Sequence, residues 1–198
     1  MSIATLIQKF SALEKVPVDV NDVIAELRTR GIVDEVYFFE PELNSYRLKG
    51  QLVHYEKWDY PASENGPIVR CADIYYARDL PRDWQRLVSC KEVLHILDPS
   101  GCLARTEDEV KTLFEKISLP PDMQDPLNDG GAVNSDRVAL FQAVAILFPY
   151  TVRNLLMPHF PGTFTVQDIA RMVDLPPRFV SFVMSSSWEV MHRILSED

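Results

Sequence analysis

Helical spacing at both ends of the chain encloses a single block of strand-like sequence, and this segregation limits the possible folds more than any other feature. Residues 2–15 place Ile3, Leu6, Ile7, Phe10 and Leu13 on one helical face. Residues 20–30 read as a second helix, with Asn21 as a candidate cap and Gly31 where the helix would stop. The period then changes. Residues 32–39, 46–55 and 68–76 are rich in β-branched and aromatic side chains and predict three strands, with connections at Pro41 and 61–67. Helices follow at 82–97, 107–117, 135–147, 151–156, 166–173 and 178–195, interrupted by a Pro-, Asp- and Gly-rich surface loop at 119–133. Thr106 and Glu109 have the spacing of a capping box. Strands grouped together, instead of alternating with helices, predict an α+β fold and not a doubly wound parallel sheet.

Charge and composition exclude several function classes. The 20 basic and 29 acidic residues leave a net charge of −9, which repels phosphate backbones and disfavours nucleic-acid binding. The 7 glycines form neither GxGxxG nor GxxxxGK[ST], so the common phosphate-cradling loops are missing. Cys71, Cys90 and Cys102 are an odd set without CxxC and read as reduced thiols of a cytoplasmic protein. Residues 1–15 lack the layout of a signal peptide. The most apolar stretch, 138–150, contains Gln142 and is shorter than the roughly 20 residues a bilayer demands, so no membrane association is expected.

The chemical signal lies in the helix at 82–97. At about 100° per residue, Trp84, Leu87, Val88 and Leu94 share the face that would meet a core. Lys91 and His95 fall on that same face, one turn apart, with Glu92 at its edge. An ammonium on an apolar stripe must find an anion or reach water, because an unpaired buried charge is costly. The string Lys91-Glu92-Val93-Leu94-His95 is HExxH with lysine in place of the first histidine. In an intact HExxH helix two imidazoles hold one zinc, and the glutamate activates a zinc-bound water.

Further segments in the same order extend the likeness: Val16-Pro17-Val18-Asp19-Val20 with Ile24-Ala25, then Ala72-Asp73-Ile74-Tyr75-Tyr76, then Arg86 through Leu97. Asp136 to Ala139, running on to Ile146-Leu147-Phe148-Pro149, and Phe164 to Val173 complete it. Over most of its length the chain thus resembles the ImmA/IrrE family of zincin-like metallopeptidases. The resemblance implies a zincin-like domain at 1–149, with a small mixed or antiparallel sheet packed on helices, and a helix-turn-helix-like helical segment at 150–198. It also implies that His95 and Asp136 are the positions of metal ligands and Glu92 that of the general base. Two departures stand out: Lys91 replaces an imidazole, and Asp136 is one methylene shorter than the family's glutamate.

Protonated lysine has three donors and no acceptor, so it does not ligate zinc. The leading reading is a catalytically inactive, metallopeptidase-like regulatory or interaction protein without a cofactor. In it Lys91 pairs with Asp136 and Glu92, and His95 is a hydrogen-bonded core residue. The alternative is an active zinc peptidase with altered ligands, His95 and Asp136 plus another, and Glu92 as base, cleaving a repressor or antitoxin. Cys90 lies about 140° around the helix from His95 and is a poor third ligand, and His54 is a candidate from a strand. By resemblance the partner is a repressor- or antitoxin-like protein of bacterial or mobile-element regulation, and a homo-oligomer is possible.

A third reading is a transcription regulator using the C-terminal helices. Thr165 and Asp168 can cap one helix, and Pro177 suits the first position of the next. The second of these offers Phe179, Val180, Phe182, Val183 and Met184, however, and not the Arg, Asn or Gln that reads base edges. A helical pair packed on the main domain or on a second subunit fits those residues better.

Overall fold

Ser2 accepts the Thr5 amide at 3.3 Å and caps α1 (Ile3–Ser11), whose Leu6, Ile7 and Phe10 are buried. The computed structural model describes residues 2–32, 34–42, 44–46, 48–58, 68–98, 107–117, 123–125 and 127–197. The expected Thr106 capping residue and Cys102 lie outside them. In α2 (Val20–Thr29) the cap is Asp19, which accepts the Asn21 amide at 2.8 Å, and not Asn21 itself. Buried Glu26 ties the two helices together by pairing with Lys9 of α1 and, at 2.6 Å, with Arg30.

Three strands follow, β1 (Glu35–Phe39), β2 (Gly50–Trp58) and β3 (Ile68–Tyr76), in the spatial order β1-β3-β2. β1 runs parallel to β3 with Tyr37 opposite Asp73, and β2 runs antiparallel to it with Leu52 opposite Ile74. The fold is therefore α+β with a small mixed sheet. β2 begins four residues later than its composition predicts because Asn44 turns the chain first. Its side chain accepts the Tyr46 amide at 3.1 Å and its carbonyl accepts the Leu48 amide at 3.0 Å.

α3 (Arg82–Leu94) packs on this sheet. The two approach closely at Gly50, where a Cβ would stand 2.3 Å from Val88 Cγ1 and 3.0 Å from Glu92 Oε1, so only glycine fits. The α-helix stops at Leu94, and His95–Leu97 forms one tighter 3₁₀ turn in place of the expected continuation. After α4 (Glu107–Ile117), α5 (Gly131–Leu147) begins four residues ahead of its predicted start, as Gly130 at φ +91° turns the chain into it. α5 lies against both α1 and α3.

Four helices complete the chain: α6 (Tyr150–Leu156), α7 (Val166–Val173), α8 (Pro177–Val183) and α9 (Ser187–Ser196). Thr165 and Asp168 form the expected capping box on α7, at 3.2 and 3.0 Å, and Pro177 opens α8. The helix predicted over 178–195 is two helices, and Arg153 of α6 shows why. Fully buried, it donates to the Val183 carbonyl at 2.7 Å and the Ser185 carbonyl at 3.2 Å, at the break between α8 and α9. One apolar cluster joins Leu6, Ile74, Leu87 and Ile146 to Val152, Ile169, Phe179 and Trp188, so residues on both sides of position 150 share a core. Among the described residues no single helix is long and apolar enough to cross a membrane.

Replacing Arg153 with leucine keeps about the same volume but removes the hydrogen bonds that its guanidinium gives to the Val183 and Ser185 carbonyls at the α8–α9 break. Urea denaturation is expected to show a loss of about 3 kcal/mol; a change within experimental scatter would mean that the break does not depend on this side chain.

Candidate functional site

The C-terminal end of α3 and the first half of α5 face one another, and the side chains between them form a line of alternating charge. Lys91 Nζ lies 3.0 Å from Glu92 Oε1 and 2.5 Å from Asp136 Oδ1. His95 Nε2 is 3.7 Å from the same Asp136 oxygen, an ion-pair contact too long for a hydrogen bond. On its other side His95 Nδ1 meets Asp98 Oδ2 at 2.7 Å. Ser135, next to Asp136 on α5, donates to that Asp98 oxygen at 2.6 Å. The order is thus Glu92, Lys91, Asp136, His95, Asp98, with α5 contributing to both halves.

The group is secluded. Glu92 is 3% exposed and His95 8%, and Glu92 is fully inside instead of at the helix edge where its sequence position suggests. Burial alone would push Lys91 towards its neutral form, but Glu92 and Asp136 reverse this and raise its pKa above the ordinary lysine value. Burial also opposes a charged His95, yet the flanking Asp136 and Asp98 carboxylates push its pKa up to about 9. Asp136 shows the complement: burial favours its neutral form, but Lys91 and His95 hold it at about 2. At neutral pH the row therefore contains an ammonium, an imidazolium and the ionised Asp136.

All four residues singled out from the sequence, Lys91, Glu92, His95 and Asp136, are brought together. The two further candidates are not. Cys90 is buried away from solvent in apolar surroundings that push its thiol up to about 12. His54 is exposed on β2, and the charges nearest it are Asp34 and Arg70. Sequence reading missed Asp98, Ser135 and Gly50. Asp98 left a trace as an acid one helical turn beyond His95, whereas Gly50 carried no local mark of its contact with α3.

The set does not fit zinc as arranged. Zinc requires lone pairs converging on one point, and here a donor-only ammonium stands between the Glu92 and Asp136 carboxylates and takes the place of a ligand. Among the described residues no three His, Cys, Asp or Glu side chains are grouped to hold a metal ion. Compared with protein-family models, curated proteins and solved structures, the chain matches none.

Two measurements probe the row. Lys91→Ala removes the shared cation and leaves Glu92 buried and the half-buried Asp136 beside it without that partner, so unfolding in urea should show a loss of about 3 kcal/mol; unchanged stability would show that the charges do not depend on Lys91. The second is a pH series. A histidine raised from 6.5 to about 9 contributes stability that is complete below pH 6.5 and is lost as pH rises through 9. The wild type should lose about 2–3 kcal/mol over that window, and His95→Gln should be flat there; parallel curves would assign the slope to other groups.

Proposed function

We propose that this chain is a non-catalytic, metallopeptidase-like regulatory or interaction protein whose former metal position is taken by the ammonium of Lys91. The observation that carries this reading is the contact of Lys91 Nζ with both Glu92 and Asp136. An ammonium there supplies positive charge at the position where the family resemblance calls for a metal ion, and it balances the carboxylates without one. Glu92, which a peptidase would use to take a proton from water, already accepts a hydrogen bond from Lys91. On this reading the α+β body is zincin-like, α7 and α8 are a helix-turn-helix-like appendage, and the partner is a cytoplasmic protein of repressor or antitoxin type. A protein partner is favoured over DNA because Phe179, Val180 and Val183 of α8 face the core and not solvent.

The deciding experiment is metal stoichiometry by elemental analysis, on untagged protein purified without chelator and again after adding zinc. No bound metal is expected in either sample. About one zinc per chain, lost in both His95→Ala and Asp136→Ala, would overturn the reading in favour of an active peptidase, to be tested for peptide cleavage with Glu92→Gln as the control.

A further inference from the structure

Trp84 lies in the first turn of α3, half-buried at the outer end of the helical stripe that leads inward through Val88 to Lys91. Two cations from separate parts of the chain rest over its indole. Arg178, in the first turn of α8, places its guanidinium carbon 4.2 Å from the ring centroid. Lys49, immediately before β2, places Nζ 5.8 Å from it. The two charges are therefore no further apart than the sum of those distances. Phe179 meets the indole edge-on at 5.6 Å and steadies it from the core side.

Neighbouring basic groups are matched. Arg82 pairs with Asp174 at 3.8 Å, Arg86 donates to the carbonyls of Val18, Val173 and Asp174, and Lys91 lies between two acids. Lys49 and Arg178 differ: both are exposed, and among the described residues neither forms an ion pair. This is notable in a chain where 29 acids outnumber 20 bases, so that a nearby carboxylate is easy to supply. Partial burial, and after it the charges of Arg178 and Lys91, hold Lys49 below its ordinary pKa, while the charge of Asp136 acts the other way.

We infer that the Lys49–Trp84–Arg178 surface binds a carboxylate presented by an acidic segment of a protein partner. This rests on the reading of the chain as an interaction protein and names the chemistry its partner must bring. A guanidinium offers a planar fork that grips a carboxylate through two parallel bonds, and Lys49 adds a point charge. Stacking on Trp84 holds the fork in place before the ligand arrives, so less side-chain freedom is lost on binding. Two cations on one ring suit a single acidic side chain or two adjacent ones. They do not make the long basic track that a nucleic-acid backbone requires.

The test uses the full chain and the indole N–H resonance of Trp84, assigned by its loss in Trp84→Phe. The probes are a blocked tetraglutamate peptide, the matching tetraglutamine peptide and inorganic phosphate, each titrated at constant ionic strength. A saturable shift with tetraglutamate and none with tetraglutamine is expected. Arg178→Gln and Lys49→Gln should each weaken that binding at least ten-fold while melting at the wild-type temperature. Absence of saturation, or wild-type affinity in either variant, overturns the proposal, and saturation by phosphate without saturation by tetraglutamate overturns the choice of a carboxylate. Zinc found in the same protein would overturn the non-catalytic reading without changing the peptide result, so the two failures are distinguishable.

Discussion

The contact between Lys91 and Asp136 is the interaction on which the arrangement of α3 against α5 depends. Removing an ammonium and a carboxylate from water costs several kcal/mol for each ion, and their attraction offsets this only when the geometry is close and the remaining valences are met. Both conditions hold here: the pair is 2.5 Å apart, and Glu92 and His95 occupy the flanking positions. The result is asymmetric. The complete row adds little stability over a well-packed apolar substitute, yet loss of one member strands a buried charge. A second fastening, from Ser135 through Asp98 to His95, holds the same two helices in register from the other side.

This has consequences for chemistry. Catalysis by a general base needs a carboxylate free to take a proton, and binding of a metal needs lone pairs that point at one place. In this row every carboxylate already faces a cation, and the cations have no lone pair to offer while protonated. The arrangement suits holding a shape better than turning over a substrate. The surface outside the row is different in kind: Trp84 carries Lys49 and Arg178 without a matching acid, and those charges are open to another molecule. One helical stripe thus changes character along its length, from matched charges at its buried end to unmatched ones at its rim.

The C-terminal helices contribute to both. They share the apolar core through Val152, Ile169, Phe179 and Trp188, and they deliver Arg178 to the indole. Their own shape is set from within by Arg153, whose guanidinium takes the carbonyls of Val183 and Ser185. A residue that would ordinarily mark a surface here organises a break between two helices.

The amino-acid order by itself determined the sequence of element types, because periods of 3.6 and 2 residues are local properties of a short window. It also determined that Lys91 and His95 share a face with Leu87 and Leu94, since one helical turn separates them, and it singled out Asp136 through the family likeness alone. It could not place the break after Val183, the early start of α5 at Gly131 or the late start of β2. Each of these depends on a backbone partner or a glycine conformation that no apolar period registers. Nor could it reveal Gly50, Asp98, Ser135 or the meeting of Lys49 with Arg178 over Trp84. Residues 49 and 178 lie far apart in the chain, and only the packing of β2 and of α8 beside α3 brings them onto one ring. Charge pairing across such distances is decided by which surfaces close on each other, so tertiary structure, and not the local code, settled which of these charges are matched and which remain available.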